Sequence, residues 1–377
     1  MIQMAAVVDT EKILGVDTME ETWSCIPNLL IWMIMKRLQC IDNLHLSAVC
    51  KHWLNAFHDF PKEEQIPPMS SCNFPWLMVT KDHRGSEREF FSPWTKTKFT
   101  VDLPEFAQTF VIDSKNGLLL LLTCDCCEQV QRLFLLNPFT QVKLELPRRP
   151  PHLRVNLSAI SMLEGTPNCV ALAGSYCPGH IAIAHPSDDA WKISTIPFDT
   201  HQYIVHMFFV DHYLYLIDNY ARALRFNTID FTMTNGFKGE KVNKFGTEEK
   251  GKYFLQCNKE IIKVSSTGLI PYGRFCMNGF TKAAWGFYKY SFSKAAWEPL
   301  DDDEIRGKSW ILSNCGAKFA SAVEGTPVEK VHFLSKLKKK GKGSYCLFSC
   351  DLNSPGKDAN SYFGNLGKKR TVWINMA

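Results

Sequence analysis

Two periodicities divide the chain. Between residues 20 and 60 apolar residues recur three and four apart, and beyond Phe74 they come in short runs broken by turn residues. Pro27 opens the first pattern, in which Ile26, Leu30, Ile31, Ile34 and Leu38 mark one stretch of helix with Arg37 in its last turn. Asp42 takes the N-cap position of a second helix. There Leu46, Val49, Cys50, Trp53, Leu54 and Phe57 keep the i, i+3, i+4, i+7, i+8, i+11 spacing. Two short helices bury little, and a domain of roughly 40 residues leans on a partner or a neighbour for stability.

After Pro61 the pattern changes. Residues 61–73 hold Lys62, Glu63, Glu64 and the pair Pro67-Pro68, and read as a linker. From residue 74 to residue 377 the runs are strand-like: Leu118–Thr123, Leu133–Leu136 and Val142–Leu146 form one series, and Val205–Val210, Tyr213–Ile217 and Ala223–Phe226 another. Hairpins are expected for Tyr253–Gln256 with Glu260–Val264, and for Phe287–Phe292 with Trp297–Leu300. Weak self-similarity links Asp189-Ala190-Trp191 to Ala295-Ala296-Trp297, each after a strand and a polar turn. Blades of about 40–50 residues repeat in this manner, so the β region predicts a propeller of six or seven blades. A closed ring also leaves few exposed strand edges, whereas a two-sheet sandwich of this length would be unusually large.

Composition narrows the class without naming a chemistry. The 377 residues are 45% apolar and 21% charged, as in a soluble globular protein, and a net charge of +5 does not call for nucleic acid. The 14 cysteines lie in a long chain with no secretory pattern, several inside apolar runs, which suits buried thiols in a reducing compartment. Asp9, Glu11, Asp17, Glu20 and Glu21 argue against a mitochondrial transit peptide. The longest apolar run, Leu29–Met35, is far short of the roughly 18–20 residues that span a bilayer. Cytosol or nucleus is the expected compartment, with no membrane and no nucleic acid as partner.

Candidate chemistry is sparse. Cys124, Cys126 and Cys127 lack paired metal-ligand spacing, and Cys346 and Cys350 share one face of a strand. His201, His206 and His212 are five and six apart, which period-two strands do not bring together. No glycine-rich phosphate loop, nucleophile elbow or HExxH is present, and Thr166, Asp188 and Asp189 have no partner constellation. No catalytic set, metal or cofactor is therefore expected. Lys336, Lys338, Lys339, Lys340 and Lys342 read as a solvated hairpin loop, with nuclear import or an acidic contact as the functional alternatives. The acidic run Asp301–Glu304 reads as a polar loop.

The helical stretch carries a resemblance. Ile26–Leu38, IPNLLIWMIMKRL, followed by Asp42–Trp53, DNLHLSAVCKHW, is similar to the two halves of the F-box signature, with Pro27, Leu30, Ile34, Arg37, Leu38, Asp42, Val49, Cys50, Lys51 and Trp53 on the pattern. Leu29 stands where an acid is usual, and His45 where an arginine is usual. The remainder resembles plant F-box proteins with a KIB-type propeller, through Pro75–Met78, Asp113–Leu122, Leu135–Pro138, Trp191, Tyr213–Asp218, Tyr253–Val264 and Trp297. The resemblance implies a small all-α F-box domain over residues 20–60 and a β-propeller over 74–377. It also implies a non-enzymatic adaptor role: the F-box docks the Skp-type adaptor of a cullin–RING ubiquitin ligase and the propeller holds an unidentified protein target. Ile26, Pro27, Leu30, Ile31, Ile34, Leu38, Val49, Cys50 and Trp53 are the implied adaptor contacts. A propeller that binds its partner without delivering it for ubiquitination is the second reading.

Overall fold

A computed structural model of the chain describes residues 26–35, 46, 49–59, 75–92, 98–123, 132–138, 141–151, 153, 155–163, 166–174, 179–196, 202–233, 251–257, 259–266, 285–312, 318–321, 330–339, 342–351, 360–361 and 370–374. The chain divides into two compact units, the first running through Cys72 and the second covering nearly all of Asn73–Asn375.

In the first unit the Pro27 carbonyl accepts from the N–H groups of Leu30 and Ile31, which starts α1 (Asn28–Met35). Leu46 is helical as its spacing predicts, but the expected helix is interrupted, and α2 (Lys51–His58) starts afresh after it. Cys50 is its N-cap, extended at φ −159° and ψ 171°, so Val49 and Cys50 lie at a bend rather than inside one continuous helix. A β-branched residue next to a cysteine, both modest helix formers, gives the chain little to lose by bending there. The expected caps and ends at Arg37, Leu38 and Asp42 lie outside the described residues.

Among the described residues the ladders of the second unit are antiparallel, except for one parallel pair in its sixth sheet. The first sheet starts with β1 (Trp76–Thr80), β2 (Glu87–Phe91) and β3 (Lys98–Asp102), and the one-turn 3-10 helix Pro104–Phe106 leads out of it. Then come β4 (Thr109–Lys115), β5 (Leu118–Thr123), β6 (Leu133–Leu136) and β7 (Lys143–Glu145) in one sheet. The next holds β8 (Leu157–Leu163), β9 (Thr166–Ala173), β10 (Gly179–Ala184) and β11 (Lys192–Ile196). The fourth has β12 (Ile204–Val210), β13 (Tyr213–Asp218) and β14 (Ala223–Asn227). The fifth has β15 (Gly251–Cys257), β16 (Glu260–Ser266), β17 (Trp285–Ser291) and β18 (Ala296–Pro299).

A single turn of helix, α3 (Asp302–Ile305), follows where the acidic run reads as a loop. The Asp301 N–H donates back to the Glu304 carboxylate at 3.0 Å, and Glu304 also pairs with Lys289 at 2.7 Å. Acids at the start of a helix meet the positive end of its dipole, which is why this run can coil. The sixth sheet holds β19 (Lys308–Leu312), β20 (Lys318–Ser321), β21 (Lys330–Lys339), β22 (Lys342–Asp351) and β23 (Asn360–Ser361), with β19 and β21 parallel. Most of the lysine cluster that reads as a loop is therefore on a ladder, because β21 and β22 pair from Lys330↔Asp351 out to Lys339↔Lys342. Finally β24 (Arg370–Ile374) returns to the first sheet and pairs along all of β1, from Trp76↔Ile374 to Thr80↔Arg370.

Local sequence fixes the tight connections. Asn116 (φ 49°) and Gly117 (φ 74°) form the two-residue loop between β4 and β5, a place for residues that tolerate the left-handed region. Between sheets the core is continuous from one pair to the next. Leu120, Leu133 and Leu135 pack with Ile160, Val170 and Leu172, and Ala171, Ile181 and Ile183 with Met207, Leu214 and Leu216. Further on, Tyr215 and Ile217 meet Phe254, Tyr290 and Trp297, while Leu255, Ile262 and Val264 meet Trp310, Leu312 and Val331. The two Trp repeats act alike: Trp191 donates its indole N–H to the Pro147 carbonyl after β7 at 2.8 Å, and Trp297 to the Ala221 carbonyl between β13 and β14 at 2.6 Å. Each indole fastens its sheet to the preceding one.

Candidate functional site

The helix pair of the first unit has a core too small for its apolar content. Ile31, Met35, Trp53 and Ala56 are buried, with Ile26, Trp32, Leu46, Cys50 and Phe57 packed around them. Two side-chain bonds lock the helices: the Trp32 indole donates to the Ala56 carbonyl at 2.9 Å, and Nε2 of His52 donates to the Ile26 carbonyl at 2.6 Å. On α1 the buried positions 31 and 35 occupy one arc. The opposite arc carries Leu29, Leu30, Met33 and Ile34, all exposed, Leu29 by 65%. Val49 (61% exposed) and Leu54 on the second element are also open to solvent. The helix is thus apolar on nearly all sides, and only the arc of Ile31 and Met35 is packed among the described residues.

The implied contact residues thus separate into two groups. Pro27, Leu30, Ile34 and Val49 are exposed; Ile31 (0% exposed) and Trp53 (4%) are core; Ile26 and Cys50 are half-buried; Leu38 lies outside the described residues. Leu29, Met33 and Leu54 are exposed apolar residues too, beyond the contacts that the resemblance implies, and the unbroken run Leu29–Met35 already signals a helix with no polar face.

In the second unit the buried polar groups organise turns and crossings. Arg88 on β2 is sealed from water and donates to the carbonyls of Gly85 (2.7 Å), Glu87 (2.8 Å) and Phe106, tying the first sheet to the 3-10 turn before β4. Burial pulls its pKa below the ordinary guanidinium value. Asp218 ends β13 with no exposed surface and accepts from the backbone N–H groups of Tyr220 and Arg222, from the Arg222 guanidinium at 2.8 Å and from Gln202 at 3.0 Å. Burial pushes its pKa up, opposed by the Arg222 bonds. Lys263 is buried with Nζ 4.3 Å from the Tyr288 ring centre and 5.6 Å from that of Trp297, a geometry in which the ring faces attract the ammonium. Lys115 at the end of β4 donates to Gln256 on β15 at 3.2 Å, and Gln256 donates to the Phe209 carbonyl at 2.6 Å.

Among the described residues, those singled out for metal or catalytic chemistry lie in separate surroundings. Cys124, Cys126, Cys127 and His201 lie outside the described residues. His206 stacks on Phe208 and tilts against Phe254, and loss of water pushes its pKa down to about 4, while His212 lies against Tyr213. Thr166 and Asp188 bond to nearby backbone in turns. Burial pushes the Cys169 thiol up to about 12, as for a packing residue rather than a nucleophile. Among the described residues no three His, Cys, Asp or Glu side chains come close enough to share a metal ion.

Comparison with known proteins matches both units. The KIB1-4 beta-propeller family model matches residues 90–349, and the F-box domain model residues 23–65. An F-box/kelch-repeat protein of Arabidopsis thaliana is 28% identical over 173 residues, covering 45% of this chain and 46% of its own. An F-box protein of the same plant is 29% identical over 184 residues, covering 48% of this chain and 44% of its own. The chain therefore spans less than half the length of either relative. Among solved structures, TolB from Acinetobacter baumannii aligns over 83% of this chain and 69% of its own at 10% identity, with a TM-score of 0.41.

Proposed function

The chain belongs to the KIB1-4 β-propeller family, with an F-box domain ahead of its sheets, and from that premise we propose that it is the target-recognition subunit of an SCF-type cullin–RING ubiquitin ligase. The observation that carries this reading is the exposed apolar arc of α1, Leu29, Leu30, Met33 and Ile34, opposite a buried arc that already satisfies the helix pair. Such a surface asks for a protein partner with an apolar groove, and a Skp-type adaptor fills that place in F-box proteins. Pro27, Leu30, Ile34 and Val49, with Leu29, Met33 and Leu54, form the contact. Ile31 and Trp53 hold it from beneath, and Ile26 and Cys50 border it.

The sheets carry the other half of the task. Six sheets among the described residues, with β24 closing onto β1, support six blades. Rim loops on such a scaffold offer a recognition surface. The subunit does no bond chemistry in this scheme; it raises the concentration of a target lysine near the ubiquitin-carrying enzyme.

The test is capture of a purified Skp-type adaptor by Leu30→Ser/Met33→Ser. Both side chains are exposed, so the helix pair keeps its core and circular dichroism is unchanged. Anchors in a packed interface cost about 2–4 kcal/mol each when truncated, so capture is expected to fall by roughly 30-fold or more. Full capture by a folded variant would sink the docking assignment.

A further inference from the structure

The surface read as the adaptor contact is composite, so it exists only while two helices keep one angle. Leu29, Leu30, Met33 and Ile34 come from α1, Leu54 from α2, and Val49 from the bend ahead of α2. Each helix has eight residues, and Ile31, Met35, Trp53 and Ala56 are the buried side chains between them. Apolar burial is non-directional, so a contact this small holds the helices together without fixing how they cross. Direction comes from two side-chain bonds, His52 Nε2 to the Ile26 carbonyl at 2.6 Å and the Trp32 indole to the Ala56 carbonyl at 2.9 Å. Their ends lie six residues apart on the α1 side and four apart on α2, roughly 6–9 Å at 1.5 Å per residue. One such bond leaves a pivot; two set the crossing angle.

The His52 bond acts where α1 begins. The first intrahelical bonds go to the Pro27 carbonyl, from Leu30 at 2.9 Å and Ile31 at 3.3 Å, which leaves the Ile26 carbonyl ahead of the first turn. A residue before proline is pushed out of the helical region, so its carbonyl is open to a donor from elsewhere. His52 supplies that donor from the first turn of α2, next to the buried Trp53. A carbonyl only accepts, so Nε2 carries the hydrogen. Ile26 thus becomes the fixed point from which Pro27 and then Leu30 are laid out.

We propose that His52 is a positioning residue for adaptor docking: it holds the start of α1 so that Leu29, Leu30, Met33 and Ile34 stand ready beside Val49 and Leu54. The inference rests on the reading of that surface as the contact for a Skp-type adaptor, and deepens it. A positioning role has its own kinetic mark. With the clasp gone, α1 takes several angles in the free chain and only a fraction of molecules present the docking arrangement, so the apparent affinity falls by that fraction. The loss enters the association rate. Once bound, the same side chains face the same groove, and the dissociation rate stays near its original value. Truncating a contact side chain acts the other way, on dissociation.

The experiment follows association and dissociation of the full chain on an immobilised, purified Skp-type adaptor. His52→Leu, which keeps bulk but loses the donor, is expected to associate at least about fivefold more slowly, with dissociation changed by less than about twofold. His52→Gln, whose amide nitrogen reaches about as far as Nε2, is expected to restore association to within about twofold of the wild type. Leu30→Ser is expected to raise the dissociation rate instead. Thermal unfolding checks the fold of each variant; should His52→Leu fail to fold, His52→Glu, the acceptor-only counterpart of the glutamine, is expected to show the same slowing. Unchanged association by the folded donor-less variant, or a loss confined to dissociation, overturns the positioning role and leaves the docking reading standing. Equal slowing in His52→Gln overturns it as well, since the donor would then not be what matters. No binding by the wild type overturns the docking reading, and the positioning role with it.

Discussion

His332 occupies the middle of the sixth sheet, between Ile311 on β19 and Ser349 on β22, with no surface exposed. Burial, reinforced by Lys330, pushes its pKa down from 6.5 to about 3. The unfolded chain takes up a proton at this position below about pH 6.5, and the folded chain refuses it until about pH 3, so stability falls as pH drops through that window. At pH 5 the loss relative to pH 7.5 comes to about 2 kcal/mol from this one group. Urea unfolding at both pH values should show the wild type weaker at pH 5, and His332→Gln should shrink that difference; an undiminished difference would assign the acid sensitivity elsewhere. The spacing of His201, His206 and His212 argues against a cluster, and nothing in the sequence singles out His332, Arg88 or Lys263. A lone histidine, arginine or lysine within a strand carries no local mark of burial, because neighbours such as Tyr288 and Trp297 around Lys263 come from other strands.

At the scale of elements, local pattern and local chemistry sometimes disagree. The runs Leu118–Thr123 and Tyr213–Asp218 are strands with the expected bounds or within one residue of them, since period and β-forming residues agree. The bend at Cys50 was hidden because apolar spacing continues through it. The lysine ladder was hidden because its residues favour solvent, while the ten-residue pairing that holds it comes from the strand after the turn. Helix α1 shows a related conflict. Its first turn contains no acid, and Leu29, where F-box sequences usually carry one, is largely exposed. An acid there would interact with unpaired N–H groups and the dipole, worth about 0.3–1 kcal/mol. Leu29→Asp is therefore expected to slow amide exchange across Asn28–Met35 in the unbound chain by roughly two- to fivefold. Unchanged or faster exchange would mean that the leucine contributes to the free helix and not only to a partner.

For the whole molecule, the sheets expected from residue 74 onward are present, yet no local feature of the sequence said which strand would close them. The partner of Trp76–Thr80 is Arg370–Ile374, nearly 300 residues away along the chain, and pairing at that separation depends on all the sheets between having formed. Loop-closure entropy grows slowly with length, so one antiparallel ladder can hold such a contact once the intervening core is packed. The first sheet then depends on β24 for an edge that would otherwise expose Trp76, Leu77, Met78 and Val79, all of them buried. Thr371→Pro/Val372→Pro tests this dependence. Adjacent residues in a strand direct their N–H groups to opposite sides, so the pair of prolines removes one ladder donor whichever side faces β1, and both fix φ away from strand values. A cost of about 2–4 kcal/mol is expected, seen as a lower unfolding temperature together with faster amide exchange at Trp76–Thr80. A variant with the wild-type melting temperature and full protection of those amides would show that β24 is not what closes the sheets.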